Sequence, residues 1–572
     1  MPTIALAVRF DYQLDSGLRF QYTRNGVNFQ SFPPSMDADV LGGSLLFGFL
    51  GLVEFHEKVE FSFTLDIGEL MVGNRKAGVF SSSGLFINNI LYTPTAEDVQ
   101  NIKLLTESCK RQAKRQGVPE SRCEEPHWLL QESFFLPELY FTFFLDDDLS
   151  VKLEIGSLEA SIGNSFILDN YVLGIRLEAD YTVLEKAVPL KFQFAFMLPD
   201  NSFTTAGKSS PVAHLEVTYA PAKAKEIGAY FVYMRDGDNL AGNLLLPLWQ
   251  DRVATRLSQN FQKSNSHFPV LSCGPSNQQQ LNALKSLLSK ENQVAQKQCE
   301  QENEERKKRG EQPYACPADD INEQFARKVC DVLPVSSGEH FWLGIKGKGH
   351  TGKLSYRGNA VLYFSWMKLQ IPKEPSEQSL LEPLPQSEEK LNISDFRLKG
   401  LGVLLELEAK YNWTKALSSS MFFLYSSGDQ WDGENGTVYT FIGIAPQVRH
   451  TNVFFNGGIN SYSSRRGISV GGVSGAGYLT PGFSTAYEIE SVVEAKATIA
   501  AIWAPAAFAS KSTQGSFYGF EFNLMGSFRL LKWLEPVLQF DFFIPGSFFK
   551  EQDGSLPTPL FQVLFGVNFV IE

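Results

Sequence analysis

Apolar and polar residues alternate along many short stretches of this chain. In the last thirteen residues Phe561, Val563, Phe565, Val567, Phe569 and Ile571 share one side, while Gln562, Gly566, Asn568 and Glu572 share the other. Leu564 and Val570 are apolar exceptions on the polar side. Near the start, Ile4, Leu6, Val8, Phe10, Tyr12 and Leu14 alternate with Ala5, Ala7, Arg9, Asp11 and Gln13. Asp15-Ser16-Gly17 reads as a tight turn into a second strand with Leu18, Phe20 and Tyr22 outward. The same two-faced pattern recurs around Val59–Gly68, Ile175–Tyr181, Leu190–Leu198, His214–Tyr219, Leu354–Phe364, Val403–Glu408 and Phe520–Arg529. Side chains on a strand point alternately to opposite faces, so each stretch predicts a strand with one greasy and one polar wall. Their length suits a tilted strand crossing a bilayer, about 9–11 residues. The expected fold is all-β, a single antiparallel transmembrane β-barrel over residues 1–572 with about eighteen strands.

The connections support that reading, because short and long ones mostly alternate. Short turns fall at Asp15–Gly17, His56–Lys58, Asp146–Asp148 and Leu531–Glu535, and long connections at 73–135, 237–339, 371–396 and 427–450. The alternation slips between Ser426 and Tyr487, where a further strand is expected. It also leaves the first strand running inward, which suggests a strand before it. The stretches 96–116, 277–309 and 318–332 carry Leu and Val at helical spacings and predict short extracellular helices, with Glu300–Arg309 a solvated face. The insertions 73–135 and 237–339, with the loop 371–396, then read as extracellular.

All six cysteines lie in those two insertions: Cys109 and Cys123 in the first, and Cys273, Cys299, Cys316 and Cys330 in the second. An even number confined to exposed segments of an exported chain predicts disulfides that staple the helices into a cap. Cys109–Cys123 is the expected local pair, and the other four allow three connectivities. Neither the C-x-x-C spacing of a zinc site nor the C-x-x-C-H of haem attachment is present.

Composition strengthens the membrane reading. Of 572 residues, 13% are aromatic and 47 are Phe, more than a water-facing fold buries easily but well suited to a lipid-facing wall with aromatic girdles. No stretch reaches the ~18–20 apolar residues of a membrane helix. The net charge of −12 disfavours nucleic acid. Met1-Pro2-Thr3 leads straight into a strand, so the chain reads as a mature form without its export signal.

The inward positions supply the candidate functional residues. Arg9, Arg19, Arg176, Lys191, Lys346, Arg357, Lys496 and Arg529 are expected to line the lumen with Asp11, Glu60, Asp66, Glu178, Glu406, Glu494, Glu521 and Asp541. The two signs nearly balance, which predicts no strong anion field. Such rows also serve simply to pair with each other across the wall. His214, beside Glu216, reads as a hydrogen-bonding lumen residue. No Ser–His or other catalytic set emerges, so neither an enzyme nor a cofactor is expected. Asp429, Asp432 and Glu434 form a weak Ca²⁺ candidate against the simpler reading of an acidic surface loop.

The C-terminal third carries a family likeness. It runs Leu401–Lys410, the turn Tyr411-Asn412-Trp413, Met421–Tyr425, Ser427-Gly428-Asp429, Tyr518–Arg529, Leu531–Pro536, Val537–Ile544 and Pro545-Gly546-Ser547-Phe548-Phe549. This resembles the alginate-export family of outer-membrane porins. The resemblance implies a monomeric barrel in the outer membrane of a Gram-negative bacterium, in contact with lipid and passing a hydrophilic solute such as a polysaccharide. The mixed inward charges depart from the arginine-rich lumen of an alginate exporter. The expected function is a porin or export channel for a hydrophilic solute, a saccharide among the candidates, gated by its loops. The alternative is a barrel that anchors a helical cap for a surface partner.

Overall fold

The computed structural model describes residues 9–28, 35–56, 58–73, 131–146, 150–180, 189–198, 210–222, 225–236, 335–370, 396–429, 436–444, 450–455, 475–489, 492–506, 515–531, 533–550 and 555–571, with a few isolated positions between them. Among these, nineteen strands form one sheet. The first nine are β1 (Arg9–Asn28), β2 (Ser35–His56), β3 (Val59–Gly73), β4 (Gln131–Phe144), β5 (Val151–Ile162), β6 (Leu168–Asp180), β7 (Leu190–Leu198), β8 (Val212–Ala222) and β9 (Lys225–Asp236). Then come β10 (Val335–Thr351), β11 (Leu354–Gln370), β12 (Phe396–Asn412), β13 (Leu417–Ser426) and the two-residue β14 (Thr437–Val438). The last five are β15 (Tyr478–Ile489), β16 (Val493–Trp503), β17 (Phe517–Phe528), β18 (Leu534–Pro545) and β19 (Leu560–Ile571).

Sequence neighbours pair antiparallel, and β9 pairs with β10 across the longest connection. β13 pairs directly with β15, while β14 lies parallel beside β12. The first strand pairs with β2 on one edge and with the last strand, β19, on the other. Sheet pairing satisfies the backbone N–H and C=O groups without help from solvent, the condition for a chain segment in hydrocarbon.

One sequence expectation needs correction and another finds its strand. Asp15-Ser16-Gly17 is not a turn: Ser16 sits inside β1, opposite Phe47 of β2 and Phe569 of β19. Pairing on both edges overrides the local turn preference of the tripeptide. The two predicted strands are therefore one, and β1 starts at the short-turn end, since Arg9 opposes Glu54. The further strand expected between Ser426 and Tyr487 is β15, Tyr478–Ile489; before it, the described residues from Ser427 to Gly477 hold no other strand of that length. Only β14 is there, and its apolar residues Phe441, Ile442, Phe454 and Phe455 are fully buried against the sheet.

The two faces of the sheet differ as the alternation predicts. Large apolar side chains point out along one face: Phe194 is 50% exposed, Ile345 61% and Phe522 46%. Leu177, Leu215, Leu362, Leu407, Leu538 and Phe565 continue that face. So much exposed apolar area has no place in water and is the normal wall of a barrel in lipid. Tyr356, Tyr411, Trp413, Tyr487 and Trp533 are exposed at its short-turn end, an aromatic belt. The short turn between β4 and β5 is held by Asp146, which accepts from the Ser150 hydroxyl and, at 3.0 Å, from the Val151 N–H. The Ser150 bond chiefly holds the Asp146 carboxyl below the usual carboxylate range.

The opposite face is covered. The β5–β6 turn reaches over to β12, where Asn164 donates to Glu406 at 2.8 Å, and to β11, where Asn359 donates to the Gly163 carbonyl at 2.8 Å. Strands so far apart in the order share these bonds only because the sheet curves strongly. Tyr230 of β9 helps by crossing β10 to donate to Asn359 at 2.7 Å. Its ring lies where a side chain on Gly344 would be, since a Cβ there would stand 2.0 Å from the ring. Gly344→Val is therefore expected to break the Tyr230–Asn359 bond and destabilise the protein by about 1–3 kcal/mol. A lowered temperature for conversion of the compact gel band to the unfolded one checks this.

By contact density the chain forms two units, one of residues 1–240, 337–367 and 398–572, the other of 241–336 and 368–397. In the second, Gln301, Asn303, Glu304 and Arg306–Lys308 are helical, at the end of the stretch expected to be a helix. The six cysteines, the stretches 96–116 and 318–332, and Asp432 and Glu434 lie outside the described residues.

Candidate functional site

The covered face carries two kinds of surface. On β5–β12 the half nearer the short turns is a ladder of opposite charges. Lys152 lies 3.2 Å from Glu154 and 3.3 Å from Glu178. Arg176 pairs with Glu154 and donates to the Glu159 carbonyl at 2.9 Å. Lys191 bridges Asp180 at 3.1 Å and Glu226 at 3.7 Å. Lys348 also reaches Glu226, at 2.9 Å, and Lys346 reaches Glu216 at 2.7 Å. Arg357 holds Glu408 at 2.7 Å and Glu406 at 3.3 Å. The period of two puts these groups on one face, and opposite signs meet across neighbouring strands or, for Lys191–Glu226 and Lys346–Glu216, across an intervening one.

Nearer the long connections, the same face of β9–β12 is aromatic and apolar. Trp342 and Tyr363 are fully buried, with ring centres 5.5 Å apart. Tyr363 also meets Phe441 at 5.9 Å and shares a 2.9 Å hydrogen bond with His340 Nδ1. Here the sheet is covered by the segment between β13 and β15. Its start is tied to β12 by the Lys399 N–H, which donates to the Gly436 carbonyl at 2.7 Å. Gly402 lets it come close: a Cβ there would lie 2.7 Å from Phe441 Cα. Trp342 Nε1 donates to the Ile442 carbonyl at 2.7 Å. The Ile444 N–H donates to the Ile167 carbonyl at 2.7 Å, so the two inserted segments meet.

The far end of that segment is held by carboxylates on β17 and β18. Glu521, 1% exposed, accepts from the Thr451 hydroxyl at 2.8 Å and from the N–H groups of Val453 at 2.6 Å and Phe454 at 2.9 Å. Asp541 accepts from Asn452 at 2.8 Å and from Asn523 at 3.0 Å. Asn523 donates to Glu521 as well, linking the two acids. Phe454 and Phe455 then pack against Tyr518 and Tyr478, with ring centres 5.0 and 4.9 Å apart.

The structure therefore brings Arg176, Glu178, Lys191, Lys346, Arg357 and Glu406 into the ladder, and puts Glu521 and Asp541 under the inserted segment instead. Lys496 is half-buried on β16, Glu494 is exposed near its start, and Glu60 is half-buried on β3. Arg9, Asp11 and Arg19 lie on β1 and Asp66 on β3. Arg529 follows β17 in the short turn, 4.0 Å from Glu535, rather than on a strand. His214 is buried with Nε2 3.7 Å from Glu216. Asp429 accepts from the Tyr439 N–H at 3.1 Å and so closes the start of the inserted segment. Sequence reasoning missed Asn164, Tyr230, Trp342, Asn359, His450 and Thr451–Phe455. The legible signal was the apolar content of 438–455, too greasy for a solvated outer loop.

No family model matches the chain, the alginate-export family expected from its C-terminal third included. No curated protein matches it either. Several crystal structures align over nearly the whole length. Pseudomonas aeruginosa OpdQ is 9% identical over 98% of this chain and 99% of its own, with a TM-score of 0.42. Pseudomonas aeruginosa OpdK with vanillate is 8% identical over 98% of each chain, with a TM-score of 0.41. Acinetobacter baumannii OccAB1 is 7% identical over 98% of this chain and 97% of its own, also at 0.41. At these identities and TM-scores the likeness decides neither family nor activity.

Proposed function

We propose that this chain is an outer-membrane β-barrel channel for a small hydrophilic solute, narrowed from within by residues 163–167, 436–444 and 450–455. One observation carries the reading: a single sheet whose first and last strands pair has a mostly apolar exposed face, with charges such as Arg235, Glu339 and Lys399 toward its long-connection end, and an ion-paired covered face. In this reading the β1–β19 pairing closes a ring, the exposed face meets lipid, and the covered face is the lumen wall. The charge ladder is the polar half of the path, and Arg9, Asp11, Arg19, Glu60, Asp66, Glu494 and Lys496 extend it. Opposite signs lie next to each other, so the path presents alternating dipoles rather than one strong field. That suits an uncharged or zwitterionic solute, a saccharide among them, better than a polyuronate.

A second reading keeps the barrel as an anchor for the insertions 73–135 and 237–339, with a partner bound outside. The depth of apolar packing under 438–455 favours it, because packed aromatics leave less room for a path. Bilayer conductance separates the two. The channel reading expects steady single-channel steps with weak ion selectivity in asymmetric salt. Silence from the intact protein and from a form lacking 237–339 would leave only the anchor.

A further inference from the structure

We propose that Glu406, Glu408 and His450 form a binding site for a divalent transition-metal ion of the Zn²⁺ class, joining the inserted segment to the sheet. Glu406 and Glu408 are two apart on β12 and so project from one face of it. His450 comes from the segment between β13 and β15. One ligand atom from each of the three lies within 4.8 Å of the others. Around a single tetrahedral ion with metal–ligand bonds of about 2.0–2.2 Å, ligand atoms stand about 3.3–3.6 Å apart. Small side-chain rotations close that difference, and His450 Nε2 is already 3.4 Å from Glu406 Oε1.

The imidazole is the second, independent sign of a ligand. The His450 side chain is 10% exposed and both ring nitrogens are buried; Nε2 stands in ion-pair range of Glu406 without hydrogen-bond geometry, and Nδ1 has no hydrogen-bond partner. A buried polar nitrogen left unpaired is costly, and native structures rarely keep one without use. The ring is not free to turn away, because Phe422, tilted against it, and Phe166, stacked on it, lie with centres 5.0 and 6.3 Å off. Nε2 therefore stays beside Glu406, within reach of the group that Glu408 completes. A metal ion satisfies a nitrogen lone pair that neither carboxylate can.

The surroundings are arranged as for a metal ligand. Asn164 donates to Glu406 Oε2 at 2.8 Å, which fixes that carboxylate and leaves Oε1 facing Glu408 and His450. Outer hydrogen bonds of this kind orient ligating carboxylates in metal sites. One group competes: the guanidinium of Arg357 touches both carboxylates. That side chain is 49% exposed, so it can swing toward solvent when a doubly charged ion takes its place. Two carboxylate oxygens and one imidazole suit Zn²⁺ and its neighbours, with a coordination position left for water. The site does not depend on whether the protein conducts.

The test uses the full-length protein in detergent, stripped with chelator, and Zn²⁺ added under calorimetry. One Zn²⁺ per chain is expected. His450→Ala and the shape-conserving Glu408→Gln should each weaken it at least tenfold, while both retain the compact heat-modifiable band. Arg357→Gln should tighten it several-fold by removing the competing charge. Co²⁺ in place of Zn²⁺ should give strong visible absorption that His450→Ala abolishes. Equal Zn²⁺ binding by the wild type and His450→Ala would overturn the proposal. So would no binding by both the wild type and Arg357→Gln.

Discussion

Replacing Glu521 by alanine is expected to free residues 450–455 from the sheet and to raise single-channel conductance several-fold. Glu521 alone accepts from Thr451, Val453 and Phe454. Its removal leaves a hydroxyl and two backbone N–H groups buried without an acceptor, at about 1–3 kcal/mol each. The segment has a cheaper course than bearing that cost, because it can lift off and bond to water. Glu521→Gln keeps the shape and one carbonyl acceptor, so it should loosen the segment only partly. Trypsin supplies the structural readout: Arg449, Arg465 and Arg466 flank the anchor, and cleavage there should accelerate in Glu521→Ala and much less in Glu521→Gln. Unchanged conductance and unchanged cleavage would mean that apolar packing alone holds the segment.

Trp342→Ala should give the largest loss of stability. The side chain is fully buried, its ring lies 5.9 Å from His340 and 5.5 Å from Tyr363, and Nε1 holds the Ile442 carbonyl. Emptying such a site costs about 3–5 kcal/mol. Trp342→Phe retains most of the packing and loses mainly the hydrogen bond, about 0.5–1.5 kcal/mol. Thermal or urea unfolding in detergent, followed on gels, should rank wild type, Trp342→Phe and Trp342→Ala in that order. A Phe variant as damaged as the Ala variant would assign the stability to the bond to Ile442 rather than to the ring.

The strands were largely legible because the alternation has a simple cause. Lipid-facing residues such as Phe192, Phe194 and Phe196 must be apolar, and the residues between them need not be. The places where reading failed have physical reasons too. Asp15-Ser16-Gly17 carries local turn chemistry that two paired neighbours override. The charge ladder could be assigned to one face but not to partners, because partners depend on register: Lys346 meets Glu216 of β8, two strands away from β10. The inserted segment was the real gap. Phe441, Ile442, Phe454 and Phe455 lack a period of two, so they signal burial without saying against what. Glu521 and Asp541 looked like any other inward acids. Their separate role comes from Thr451 and Asn452, about seventy and ninety residues earlier in the chain.

That sequence separation dictates an order of assembly. The segment around Thr451 leaves the ribosome before β17 and β18 exist, so its greasy residues must wait without their anchors. They cannot be locked until Glu521 and Asp541 arrive, and β1 cannot find its second partner until β19 is made. Contacts so distant along the chain form late and slowly. The growing protein therefore carries an unlatched aromatic segment and an unpaired strand edge, both sticky in water. Truncation before β17 should leave a product that aggregates far more readily than the full-length chain, because the apolar residues Phe441, Ile442, Phe454 and Phe455 then have no anchor.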